Sequence, residues 1–192
     1  MFRVGDGSHK PHPRSQSVGL ATAWAVYRGP WHYPVYGLRA RTRALEPGTW
    51  LAEGCVAYGG CLGPGATINS GEVAAAVACL REAIHARRTH ARRTRYFNVI
   101  YAIDSDSCAD EMDRMWASGN LGGLRASTIA PLVETWVHLR RELSALGGSF
   151  TFVKFPGHQG VYAMAGADAA AKACLGMPPA PVELIVHSTL VC

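Results

Sequence analysis

Residues 98–103 read Asn-Val-Ile-Tyr-Ala-Ile, a nearly continuous apolar run. The run suits a strand covered on both faces and is too short for a helix of ordinary length. Helical patterns lie on either side. Upstream, Val73, Val77, Leu80 and Ile84 recur at three- and four-residue steps, the spacing of one helical face, from about Asn69 or Ser70 to Arg87-Arg88. Downstream, Asp104-Ser105-Asp106-Ser107 are all good helix N-cap types, and they open a short helix carrying Met112, Met115 and Trp116. Strands reached through helices add in parallel by right-handed crossovers, so this part of the chain is constrained to an α/β arrangement.

The remaining segments extend that arrangement. Glycines at 119–123 break the short helix, and Pro131 begins another with Leu132, Trp136, Leu139, Leu143 and Leu146 on one stripe. Gly147-Gly148 stop it. Phe150, Phe152, Val153 and Phe155 then mark a strand that ends at Pro156-Gly157-His158, and an Ala-rich helix covers about 163–175. Before the first helix, residues 2–6, 18–27 and 55–60 have strand character. The order β-β-β-α-β-α-α-β-α predicts an α/β fold with a mixed five-stranded sheet, three antiparallel strands then two parallel, flanked by helices. One domain is expected over 1–192, with its core at about 3–175. Residues 29–54 form an insertion without periodicity, and 176–192 a Pro-containing tail.

Composition narrows the functional class. With 192 residues, 48% of them apolar and 17% charged, the chain can bury a sizeable core, which excludes wholesale disorder. No run of about 18 apolar residues exists for a membrane span. The start Met1-Phe2-Arg3-Val4-Gly5-Asp6 has no apolar signal region, so an intracellular location, without a membrane or an obligate protein partner, is the expectation. The six cysteines are scattered without a Cys-x-x-Cys. They read as small buried hydrophobes rather than zinc ligands, with Cys55 and Cys61 the one pair close in sequence.

Acids are scarce, fourteen against nineteen Lys and Arg, for a net charge of +5. Four of them occupy telling places. Asp6 is expected to end the first strand and Asp104 the fourth, Glu72 to lie in the first turn of the first helix, and Asp168 inside the last. Strand ends and helix starts of an open α/β sheet meet at one edge, where ligands usually sit. Four carboxylates crowded there would repel one another, and hard divalent cations relieve that repulsion. Two such ions about 4 Å apart can clamp the attacking and leaving oxygens of a phosphoryl displacement.

In these residues the chain resembles the ribonuclease H family, type 1. The resemblance is carried by Asp6-Gly7-Ser8, by Asn69-x-x-Glu72 opening a helix, and by Ile103-Asp104-Ser105. It is completed by Pro156-Gly157-His158-Gln159-Gly160 followed by Asp168-Ala-Ala-Ala-Lys172. It runs from Arg3 to about Leu175. The pieces are weak singly and specific together, in the family's order and on the expected elements. The resemblance implies a ribonuclease H-like fold and an endoribonuclease that cuts RNA paired to DNA, leaving 5′-phosphate and 3′-hydroxyl ends. It further implies that Asp6, Glu72, Asp104 and Asp168 hold two Mg²⁺ ions, with Mn²⁺ as a substitute. His158 would assist proton transfer or product departure. Asn69 would read the minor groove of the hybrid, where 2′-hydroxyls mark RNA, and Ser8 and Ser105 would stand beside the substrate. Ile68 and Met164 depart from the pattern, standing where polar residues are common, and Asp106 adds a charge beside Asp104.

Each residue also has a plainer role. Glu72 can complete a capping box with Asn69 at the N-cap. Asp104 or Asp106 can cap the following helix, and Asp168 can sit on a solvated face. The run Arg87-Arg88-Thr-His90-Ala-Arg92-Arg93 complements a helix C-terminus as well as it suits phosphates, which leaves Arg87, Arg88, Arg92 and Arg93 as candidate phosphate contacts. Two competing functions remain at this point: a nucleic-acid-binding module of the same fold with little or no catalysis, and a related nuclease acting on DNA. With four acids assigned to one cluster, ten face nineteen bases elsewhere, a frame suited to a polyanion.

Overall fold

The computed structural model describes residues 1–10, 21–28, 56–62, 66–89, 97–119, 129–155 and 162–175. The strands are β1 (Phe2–Lys10), β2 (Ala21–Arg28), β3 (Val56–Leu62), β4 (Phe97–Ile103) and β5 (Gly148–Lys154). The helices are α1 (Ile68–Thr89), α2 (Asp106–Ser118), α3 (Ala130–Ala145) and α4 (Tyr162–Cys174). The strands stand in the order β3-β2-β1-β4-β5. β1, β4 and β5 run parallel, and β2 and β3 extend the sheet antiparallel from β1. The insertion at 29–54 and the tail at 176–192 lie outside the described residues.

α1 packs on β1, β2 and β4, with α3 against it as well, while α4 packs on β1, β2 and β3. This double covering explains the composition of α1. Every residue from Ser70 to Leu80 is buried, so α1 has no solvent face over those turns, unlike the one-sided helix its Val, Leu and Ile spacing suggested. Small side chains (Ala74, Ala75, Ala76, Ala78) let sheet and helix approach from both sides. Covering is less complete over β4, whose Ile100 is 40% exposed. The expected burial of that strand on both faces holds only for Val99 and the run Tyr101–Ile103.

Aromatic packing closes the other end of the core. Trp136 is fully buried and stacks on Phe152 at 5.7 Å, with Phe150 edge-on at 5.9 Å. Arg140 lies over the Trp116 and Trp136 rings at 4.5 and 4.9 Å. Its guanidinium also donates to Asp113 Oδ1 at 2.7 Å and to the Phe150 carbonyl at 3.1 Å. A desolvated cation over indole rings is worth about 2 kcal/mol, and its charged hydrogen bonds add to that. Arg140→Ala is therefore expected to lower unfolding stability by about 2–3 kcal/mol in urea or thermal melts. Arg140→Lys recovers only part of the loss, because an ammonium cannot stack and fork at once.

The ends of the elements shift two sequence expectations. β1 continues to Lys10 because β2 pairs with it throughout, Val4 with Tyr27 to Lys10 with Ala21, so Asp6 sits in mid-strand and not at its end. α1 begins at Ile68, which puts Glu72 in the second turn, not the first. The cap there is Thr67 with Ser70. The Thr67 N–H donates to Ser70 Oγ at 3.0 Å, and the Ser70 N–H donates back to Thr67 Oγ1 at 3.3 Å. That reciprocal pair replaces the Asn69–Glu72 capping box and leaves the Glu72 carboxylate for another use.

Candidate active site

The site lies where β1 and β4 part. The two strands pair in parallel only from Phe2 with Ile100 to Val4 with Ala102. Asp6 and Asp104 each stand two residues beyond that last pair, on neighbouring strand tracks at equal register. Side chains alternate along a strand, so both project to the face on which Val4 is buried. α1 covers the opposite face, the one on which Gly7 lies, and Glu72 reaches the cluster from that side of the sheet. One carboxylate oxygen each from Asp6, Glu72 and Asp104 lie within 4.8 Å of one another.

Close approach of α1 to β1 depends on Gly7. A Cβ there would lie 2.9 Å from the Glu72 nitrogen and 3.0 Å from the Ile68 carbonyl oxygen, both rigid backbone atoms. The Gly7 N–H donates to Glu72 Oε1 at 3.1 Å, inside the protein. Glu72 Oε2 is buried and has no hydrogen-bond partner among the described residues. Gly7→Ala is expected to push the start of α1 off the strand, costing about 1–3 kcal/mol as overpacking does. A lowered melting temperature together with weakened divalent-ion binding checks it. Weakening of stability alone would separate the packing role from the carboxylate role.

Electrostatics show what the cluster lacks. The Asp6 carboxyl is pushed up to about 7, first by burial and then by the charges of Asp104 and Asp168. Glu72 is pushed well above the usual carboxylate range by burial and by Asp6. Both effects penalise the ionised form until a counter-charge arrives. Oxygen-only donors from three elements, one buried oxygen without a partner, and strained ionisation fit a hard divalent cation.

The other sequence candidates fall variously. Ser8 is buried on β1, two residues past Asp6 and on the same face. Ser105 is the N-cap residue of α2 but makes no side-chain cap bond, and Asp106 sits exposed in the first turn of that helix. Asn69 is exposed one turn before Glu72, next to Ile68, which is 44% exposed. Three- and four-residue steps place both on the Glu72 side of α1, at the rim of the cluster. Asp168, in α4, is not part of the close trio, and Lys172 Nζ donates to its Oδ2. His158, Arg92 and Arg93 lie outside the described residues.

Arg87 and Arg88 have structural work. Arg87 Nε donates to the Leu146 carbonyl at 3.1 Å, and Arg88 pairs with Glu142 at 2.6 Å, tying α1 to the end of α3. At 1.5 Å per residue they stand roughly 22 Å along the helix from Glu72. Arg88 keeps 64% of its side chain exposed beside that pair. Cys61, Cys79, Cys108 and Cys174 are buried, in keeping with their reading as small hydrophobes, and burial pushes the Cys108 thiol up to about 12. Cys55 lies outside the described residues. Sequence reasoning missed the Gly7 N–H and the Lys172 ammonium. The first leaves no side-chain signal, while the second was visible as a four-residue Asp–Lys spacing.

Comparison with solved structures finds this architecture elsewhere. LC9-RNase H1, a type 1 RNase H with the type 2 active-site motif, superposes with a TM-score of 0.52 at 18% identity, over 91% of this chain and 71% of that one. The native protease–reverse transcriptase of prototype foamy virus gives 0.53 at 14% identity, over 92% of this chain and 21% of that much longer one. The chain has an RNase H-like α/β fold. No protein-family model and no curated protein sequence matches it. Among the described residues, no helix is long and apolar enough to cross a membrane.

Proposed function

We propose that this chain is a metal-dependent ribonuclease H that hydrolyses the RNA strand of RNA–DNA hybrids, leaving 5′-phosphate and 3′-hydroxyl ends. The observation that carries the reading is the convergence of Asp6, Glu72 and Asp104 at the fork of β1 and β4 in an RNase H-like fold. Asp6, Glu72 and Asp104 would hold divalent ions, Mg²⁺ or Mn²⁺, with Asp168 as a fourth ligand. Two bound ions supply an activated water and charge stabilisation for the leaving oxygen. The protein's own part is positional. Gly7 N–H orients Glu72, burial keeps competing water from the inner oxygens, and the fork aims Asp6 and Asp104 at one point. Asn69 offers an exposed amide for the 2′-hydroxyl side of the hybrid, and Ser8 and Ser105 flank Asp6 and Asp104. His158 is the candidate proton carrier, since an imidazole titrates near neutrality.

Cleavage of an end-labelled RNA–DNA hybrid, beside double-stranded RNA and DNA of the same sequence, tests the reading. Cutting confined to the RNA of the hybrid, dependent on Mg²⁺ or Mn²⁺ and stopped by chelator, is expected. Equal cutting of all three duplexes, or cutting that survives chelation, overturns it.

A further inference from the structure

Three of the four acids named from the sequence stand together, while the fourth already has a cation. Asp168 lies in α4, which packs on β1 and β2, and Lys172 one turn later donates its ammonium to Asp168 Oδ2. The Asp168 charge still reaches Asp6, whose carboxyl it helps to push up. Asp168 is thus near enough to the trio to act on it, yet held in an ion pair of its own. The Asp168 and Lys172 side chains are 25% and 44% exposed, so the ammonium has solvent to retreat into.

We propose that Lys172 is a positioning residue that competes with a divalent cation for Asp168, so that the site fills in two unequal steps. The inference rests on the metal-site reading above. A first ion needs only Asp6, Glu72 and Asp104, whose oxygens are already gathered. An ion that recruits Asp168 must displace the ammonium. Lysine suits this part, being a compact charge on a flexible stem with no fixed fork to hold it in place. A half-exposed pair is weak, so it delays the second step without closing it.

Calorimetric titration of the full chain with MnCl₂, repeated with MgCl₂, tests this. In Lys172→Gln the weaker binding step is expected to tighten roughly two- to five-fold, the range an exposed ion pair supports. Where the native chain shows a single step, a second should emerge in the variant. Lys172→Arg, which keeps the pair and adds a fork to hold it, should leave the weaker step as weak as in the native chain or weaker, and Lys172→Met provides a second neutral side chain, with folding checked by circular dichroism. In an Asp168→Asn background, Lys172→Gln should change nothing. An unchanged weaker step in Lys172→Gln overturns the inference and leaves the metal site standing. So does equal tightening of both steps that persists in Asp168→Asn, which is general electrostatics and not competition. A native chain that binds no divalent ion sinks both.

Discussion

Asp104→Asn is expected to lower hybrid hydrolysis by on the order of a thousandfold while the fold survives. The substitution keeps shape and removes one of three carboxylates that meet within 4.8 Å. Metal-borne charge stabilisation is worth several kcal/mol, and each 1.4 kcal/mol is about a factor of ten in rate. The same change removes a negative charge that helps to push up Asp6 and Glu72. In chelator the variant should therefore melt higher than the native chain, even as turnover collapses. Opposite signs on activity and stability mark a functional cluster, since a structural acid would lose both together. Steady-state cleavage with thermal melts in chelator checks this. Full activity in the variant would remove the metal-site assignment.

Much of the fold was legible because local pattern and global topology agree. The apolar run at 98–103 lies between two helical patterns, and crossover handedness then leaves few places for β4 and β5. Sequence and structure part where a distant neighbour decides. The short alternating segment 2–6 predicts a strand ending at Asp6. Pairing with β2 nevertheless carries β1 through Gly7 to Lys10. The Val, Leu and Ile spacing predicts an amphipathic α1. Its alanines carry no periodic signal, and only the elements packed around it reveal that they are buried.

The candidate site was legible in its residue types and less so in its geometry. Asn69 and Thr67 are both good cap residues, and nothing local chooses between them. The Thr67–Ser70 pair settles the start of α1 and frees Glu72 to meet Gly7. Charge alone makes Arg87 and Arg88 candidate phosphate contacts and says nothing of the carbonyl and carboxylate that α3 sets against them. Motif order groups Asp168 with the other acids. Lys172, four residues on along the same helix, pairs with it.

Without divalent ions, the chain is expected to lose stability as pH rises from about 4 to about 7. In the unfolded chain Asp6 ionises near 3.9, the ordinary Asp value, whereas in the fold its carboxyl is pushed up to about 7 by burial and by Asp104. Across that window the folded state binds more protons than the unfolded state, so stability falls as protons leave. Three units of difference correspond to about 4 kcal/mol, and Glu72, raised for the same reasons, acts in the same direction. For a chain of this size that is on the order of 10 °C in melting temperature. Mg²⁺ should act oppositely, because it takes the place of the protons and competes with them. It stabilises little near pH 5 and most at pH 7–8, where the carboxylates are free to bind it. Melts across this range, with chelator and with Mg²⁺, test both slopes. The comparison that decides is with Asp6→Asn. That variant should flatten the fall in chelator and lose most of the Mg²⁺ response. If native chain and variant fall in parallel, the strain does not reside at the fork of β1 and β4.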